Sequence, residues 1–509
     1  MRKEIAMRCF RSAKIKMALL IPGLLLCALS IPASAYTDGQ AEVCYTYDKD
    51  GKDVLIPEAY RFRESVALQD AGGTAADEPQ DLYVDAAGSL YIADTGNDRV
   101  LIYDAQLHPV SVIDTIEFSG ERSALNRPEG VYVYPDGRLL IADTENERLV
   151  ICDRQGRASA IVEKPENMVG VTEDGRFLPV KAAADSVGRL YVAARNVNYG
   201  FVRLDASGSF LGYVGAPAVQ PDLFTLFWRR FSTQKQRDML GQFVATEYSN
   251  IFIEERNFIW GTISTLDNTA LESAIASGDT SGNVTPIRRL NSMGQDVLKR
   301  NGTHAPLGDL SYTDTPSKIV DVAVSEYGIY SLLDSVKGHI FTYDGNGNLL
   351  YVFGGIGVRK SGFRAPVSIS YAGELLIVLD ATLGELKVFE PTEYGALVRE
   401  AIRAQKEGDI EKNYALWSRV VAQNTNFSYG YRGLGDAVMN QKDYKTAMAY
   451  YEQAVLPGDY SRAFVQQRRL TMQRVFPWIM GGILVLIAAA CGWSVGRRIV
   501  RYCRGTDRK

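Results

Sequence analysis

Histidine is almost missing from this chain: 509 residues contain 3, His108, His304 and His339. That scarcity weighs against chemistry built on paired imidazoles, either as general acids and bases or as zinc ligands. His108 falls in a hairpin and His304 in a loop after Gly302, where a histidine is most simply a solvated surface group. Cysteine is scarce as well, 6 in all, and Cys9, Cys27, Cys491 and Cys503 belong to the two ends. Only Cys44 and Cys152 remain in the body of the chain, without metal-ligand spacing; an oxidising compartment would permit a disulfide between them, but they read as two isolated thiols. There is no glycine-rich phosphate loop, no Ser-centred elbow and no metal-spaced Cys/His group, so the sequence predicts no cofactor and no metal. A net charge of -4, from 56 basic and 60 acidic residues, excludes the broad basic surface of a nucleic-acid-binding protein.

Long apolar runs are confined to the ends. Residues 1–35 join a basic stretch (Arg2, Lys3, Arg8, Arg11, Lys14, Lys16) to MALLIPGLLLCALSIPASA, closing on Ala33-Ser34-Ala35. That is the layout of a secretory signal peptide cut before Tyr36. Leu26 occupies the position where lipidation of Cys27 needs a small residue. The second run, FPWIMGGILVLIAAACGWSV from Phe476 to Val495, holds about 20 residues without a charge, enough to cross a bilayer as a helix. A transmembrane helix is expected over 475–496 and a basic tail over 497–509, with Arg497, Arg498, Arg501, Arg504, Arg508 and Lys509 in the cytoplasm by the positive-inside rule. Arg462, Arg468, Arg469 and Arg474 flank the other side of the run; the export signal decides the orientation in favour of a single-pass protein whose bulk is extracytoplasmic.

Between the ends the chain repeats itself. LYIADTGNDRV at 90–100 returns 49 residues later as LLIADTENERL. Aligned on these, PQDLYVDAAGSLYIADTGNDRVLIYD (79–104) and PEGVYVYPDGRLLIADTENERLVICD (128–153) each read as an alternating strand, a Gly turn, a second strand ending in Ala-Asp, a polar turn and a third strand. Altered copies follow at 179–205, 249–267 with an outer strand at 287–297, 318–354 and 366–390. In four copies the distance from Asp94, Asp143, Asp334 or Asp380 to the acid closing the next strand is 10 residues. Self-similarity at this period marks units that must stack on neighbours to bury their apolar faces.

In these repeats the chain resembles the NHL-repeat proteins, whose four-stranded blades build a six-bladed β-propeller of the kind also called TolB-like. The resemblance implies a mainly β fold over 36–392. Strand material at 43–68 is expected to pair with the last blade and close the ring, which removes free sheet edges. Two insertions interrupt the pattern. Residues 217–243 have a helical look, with Phe224, Phe227, Trp228 and Phe231 at helical spacing; they read as a helix covering one propeller face, or alternatively as a docking element for a partner or membrane surface. Residues 268–286, rich in Ser, Thr, Gly and Asn, read as a flexible loop.

From about 395 the apolar period becomes helical. YRGLGDAVMNQKDYKTAMAYYEQAVLPGDY (431–460) resembles a tetratricopeptide repeat, with Tyr431, Leu434 and Gly435 in a first helix and Ala447, Tyr451 and Ala454 in a second. Val438 departs from the aromatic usual at its position. Ala415 and Ala422 repeat the offset upstream, so 393–470 is expected to be a short tetratricopeptide-like region leaning on the propeller or on another protein.

Both resemblances imply interaction modules, so the expected function is a ligand- or protein-binding scaffold, associated with a membrane transport complex, with a protein or glycan partner at the propeller face and the helical region. The candidate contact residues lie in the polar turns: Asn97, Arg99, Asn146, Arg148, Arg195, Tyr199, Lys337 and His339. Asp94, Asp143, Asp334 and Asp380 read as turn-makers bonding backbone N–H groups. Propellers of this kind also include lyases that rely on His and lactonases that use a carboxylate cluster around a divalent metal, so an enzyme is the alternative reading.

Overall fold

A computed structural model describes residues 43–48, 50–165, 168, 175–195, 197, 199–215, 247–263, 266–279, 281, 284–310 and 315–506. The expected signal peptide and the helical insertion at 217–243 lie outside the described residues.

The strands form six blades: blade 1 (79–113), blade 2 (128–162), blade 3 (179–214), blade 4 (250–290), blade 5 (319–353) and blade 6 (366–391). Their first strands touch one another in chain order, and the first strand of blade 6 touches that of blade 1, so the six enclose a central axis. Alternation along each strand supplies the glue. Leu90 and Ile92 turn toward blade 6 and meet Ile377 and Leu379, whereas Tyr91 turns toward blade 2 and meets Val131 and Ile141. Because both faces of a blade are covered, Leu90–Asp94 is buried at every position.

Closure uses less of the amino-terminal segment than its pattern suggests. Tyr60–Ala67 pairs antiparallel with Glu385–Pro391 as the outer strand of blade 6. Tyr45–Tyr47 and Asp53–Leu55 instead extend blade 5 to six strands, through the pairing of Tyr45 with Val352. Cys44 beside this addition and Cys152 in blade 2 are both buried and are not joined to each other.

The second insertion is not a flexible loop throughout: Asn268–Ser277 is a helix, α1. Asp267 caps it by accepting the Ala270 N–H at 2.9 Å, and Leu271 and Ala274 pack on Ala305 and Leu307. The apolar spacing Leu271, Ala274, Ile275 carries the helix signal that the surrounding Ser and Thr obscure.

After blade 6 come α2 (Glu393–Glu407), α3 (Ile410–Gln423), α4 (Ser428–Asn440), α5 (Tyr444–Gln453) and α6 (Pro457–Thr506). The start of α2 is pressed against the closing strand, and at Gly395 a Cβ would lie 2.0 Å from the Ala59 carbonyl oxygen. Arg399 is buried, donates to the Tyr60 hydroxyl, and pairs with Glu374 at 3.0 Å. Trp417 of α3 joins Tyr394, Leu397, Phe427 and Leu434 to the core between blades 5 and 6. Tyr429 and Arg432 of α4 donate to Asp344 at 2.5 Å and Asn348 at 2.8 Å, both in the last turn of blade 5. The helical region is therefore docked on the propeller. α6 is long and apolar enough to cross a membrane, and its apolar window is not buried within the protein.

Candidate functional site

The repeated Asp-Thr joins blades. In blade 1 the carboxylate of Asp94, fully buried, accepts the Asp77 N–H at 2.7 Å, and in blade 2 Asp143 accepts the Asn126 N–H at 2.8 Å. Asp334 and Asp380 likewise accept Lys318 N–H at 2.9 Å and Arg364 N–H at 2.6 Å. Each thus holds the loop entering its own blade, and only in blades 5 and 6 does the carboxylate also accept N–H groups of the turn itself, from Val336, Thr382 and Leu383. The neighbouring Thr95 and Thr144 reach the next blade, donating to the Pro128 carbonyl at 2.6 Å and the Pro179 carbonyl at 2.8 Å.

Most of the candidate contact residues are engaged within the chain. Asn97 donates to Asp94 and the Ala75 carbonyl, both at 2.9 Å, and Asn146 donates to Asp143 at 2.8 Å and the Ala124 carbonyl at 3.0 Å. Arg99 bonds Asp94 at 2.6 Å and Asp70 at 2.7 Å; Arg148 bonds Asp143 at 2.7 Å. Arg195 pairs with Glu129, and Tyr199 is 52% exposed beside Tyr213. Lys337 donates to Asp309 at 2.7 Å, while Nδ1 of His339 lies 3.1 Å from the Tyr45 hydroxyl and 3.5 Å from Asp309. His339, five residues after Asp334 as Arg99 is after Asp94, turns away from that carboxylate, and Oδ2 of Asp334 is buried without a partner among the described residues. Tyr47 donates to the same Asp309 at 2.7 Å and meets His304 edge-on at 5.4 Å. This polar cluster ties the amino-terminal strands to blade 5. Burial pulls the pKa of His304 below its ordinary value.

A concavity lies elsewhere. A cavity of about 780 Å³ runs along the propeller axis and opens among the turns between first and second strands, such as 254–256 and 325–328. None of the eight candidate residues lines it. Tyr83, Tyr132, Phe252, Trp260, Tyr327 and Tyr371 supply aromatic wall, and Ile402, Gln405 and Lys406 of α2 form one side of the mouth.

Its floor is lined by Asp81, Lys181, Asn250 and Asp321, which share one position in their blades, the third residue of the first strand in most of them. Gly130 and Ser368 hold the equivalent position in blades 2 and 6. In five blades the pairing register shifts just before this residue, a bulge that re-aims its side chain. Lys181 of blade 3 crosses blade 2 to pair with Asp81 of blade 1. Gly130 leaves the passage open: a Cβ there would sit 2.5 Å from the Val180 carbonyl oxygen and 3.2 Å from Cδ of Lys181. Asp321 accepts from Asn250, from the Ser368 hydroxyl at 2.7 Å and from the Ile369 N–H at 2.7 Å. These six residues went unnoticed in the sequence because they differ from one another. The signal that finds them is position rather than identity, two residues after the Pro that opens blades 1, 2, 3 and 6.

Burial pushes the Asp321 carboxyl up to about 7, against the donors and the Lys181 charge that oppose it. The fold then favours the protonated form, and as pH rises the unfolded chain releases this proton first. Stability is expected to decline from the ordinary carboxylate range up to about pH 7 and to level off above it. Asp321→Asn should remove that slope, which melting curves between about pH 5 and about pH 8 would read directly; an unchanged slope would assign it to another group.

Chemically the cavity offers ring-stacking walls, a polar floor and a charged mouth, the composition of a small-molecule site. Among the described residues no group of three or more His, Cys, Asp or Glu is placed to hold a metal ion.

Residues 125–152 match the family model of the NHL repeat. Blade 2 is an NHL repeat. No curated protein matches the chain in sequence. Solved structures similar to this propeller include virginiamycin B lyase from Staphylococcus aureus, at 11% identity and a TM-score of 0.40 over 65% of this chain and 99% of the lyase. A protein of unknown function from Bacteroides thetaiotaomicron is 12% identical with a TM-score of 0.40, covering 67% of this chain and 80% of the other. The calcium-binding protein regucalcin from Agrobacterium tumefaciens is 11% identical with a TM-score of 0.37, over 64% of this chain and 93% of regucalcin. Scores this low support no conclusion about chemistry.

Proposed function

We propose that the chain is a single-span membrane protein whose propeller stands outside the cytoplasm as a binding and scaffold module, with a ligand seated in the central cavity. The helical region, tetratricopeptide-like in sequence, would join it to a membrane complex such as a transporter. One observation carries this reading: the mouth of the cavity is built by blades and by α2 together, and α2 begins the helical region that runs into α6. Arg497, Arg498, Arg501 and Arg504 follow the apolar run and support a cytoplasmic tail.

Protease added to intact cells is expected to digest the propeller and spare a tag on the tail, and native mass spectrometry of the full chain in detergent should show a retained small molecule that Tyr327→Ala, at a half-buried residue of the cavity wall, loses. Protection of the propeller, or the same retained species in Tyr327→Ala, would sink the corresponding half of the proposal. The alternative, a propeller hydrolase or lyase, is favoured by one feature, a buried carboxyl near neutrality at the cavity floor. Turnover of a lactone panel that vanishes in Asp321→Asn would establish it instead.

A further inference from the structure

The chemistry of the mouth narrows the class of ligand, on the proposal that the cavity is a binding site. Charged groups facing it are Arg256, Arg289, Lys299 and Lys406, and Glu254, Glu255, Glu326 and Asp344. Several are already engaged. Arg289 pairs with Glu254 at 2.6 Å and lies 3.9 Å over the Phe258 ring, while Glu254 also accepts from Trp260 at 3.0 Å. Asp344 accepts from Tyr429 and from the Asn346 and Asn348 N–H groups, and Lys299 donates to Asn346 at 3.2 Å.

Arg256 and Lys406 differ: neither takes part in an ion pair among the described residues. The Lys406 ammonium lies directly over the turn at Gly328, 3.2 Å from where a Cβ would stand. Burial, and after it the nearby charges of Arg256 and Arg289, draws the pKa of Lys406 below its ordinary value, with Glu254 opposing. In the same turn the Ser325 hydroxyl oxygen is buried without a partner among the described residues, although the residue lines the cavity. Two cations and an unused hydroxyl around one corner are complementary to an anionic oxygen. Beside that corner stand Tyr327 and Tyr371, half-buried flat rings suited to the apolar face of a sugar.

We propose that the cavity binds an acidic saccharide, its carboxylate or phosphate held by Lys406, Arg256 and Ser325 and its ring laid on the aromatic wall. Since Lys406 belongs to α2 and the other two to the propeller, such a ligand bridges both modules.

Titration of the full chain in detergent tests this with three probes: a trigalacturonic acid, its neutral galactose counterpart, and glucose 1-phosphate. Tighter binding of either acidic probe than of the neutral one, by about tenfold, is expected, and Lys406→Gln and Ser325→Ala should each erase most of that difference while leaving the neutral probe unchanged. Unaltered melting of the variants would show that they fold. Equal affinity for acidic and neutral probes would overturn the acid corner and leave the cavity a binding site. Failure of all three probes to bind would overturn the saccharide assignment, and a ligand retained in native mass spectrometry would then show that the cavity reading survives it.

Discussion

Arg99→Met is expected to destabilise the propeller by about 3–5 kcal/mol, the cost of breaking a buried ion pair from one side. The Asp94 side chain is 0% exposed and that of Arg99 9%. Without the guanidinium, Asp94 keeps only Asn97 and the Asp77 N–H as donors, and the Thr74 carbonyl loses its 3.0 Å bond from Nη2. Asp70 is the less buried of the two acids, at 15% against 0%, so the loss arises mainly at Asp94. The double variant Arg99→Met/Asp94→Asn should recover part of the stability, since the stranded charge disappears with the carboxylate. Urea unfolding of the single and double variants would check both statements. A loss of less than about 1 kcal/mol would mean that water replaces the arginine and that the turn is not a brace.

The second large effect is expected at the cavity floor. Lys181→Met leaves Asp81, whose side chain is 10% exposed, without its counter-charge in the centre of the ring, and a loss of about 3–5 kcal/mol follows from the same physics. Here the pair also spans three blades, so the variant should lower the unfolding midpoint and weaken any ligand that rests on the floor. Gly130→Ala should mimic it through geometry instead of charge, because the new Cβ would meet the Val180 carbonyl oxygen at 2.5 Å. Equilibrium unfolding of Lys181→Met within about 1 kcal/mol of the unaltered chain would show that the floor is bridged by water.

How much of this was readable beforehand depends on the range of the interactions. The duplicated strand and turn at 90–100 and 139–149 announce blades because period-two burial and a recurrent polar turn are local properties. The same applies to the apolar run from Phe476 to Val495 and to the changed period after about 395. Helix α1 was hidden because its apolar residues are embedded in a segment rich in Ser and Thr, which local propensity assigns to loops. The split role of residues 43–68 was hidden for another reason: strands of similar pattern can pair with any free edge, and only the folded ring shows that blade 5 takes one part and blade 6 the other.

The site itself divides along the same line. Sequence alone determined that this chain repeats a blade, that Asp94 and its equivalents mark the turn, and that apolar segments stand at both ends, since each follows from residues close together in the chain. Tertiary structure alone decided that Arg99 and Arg148 turn inward onto those carboxylates, that Asp81 meets Lys181 from 100 positions away in the sequence, and that α2 lies at the mouth of the axial cavity. The physical reason is that a repeat conveys what each blade shares, whereas a cavity on the ring axis is lined by the residues in which the blades differ.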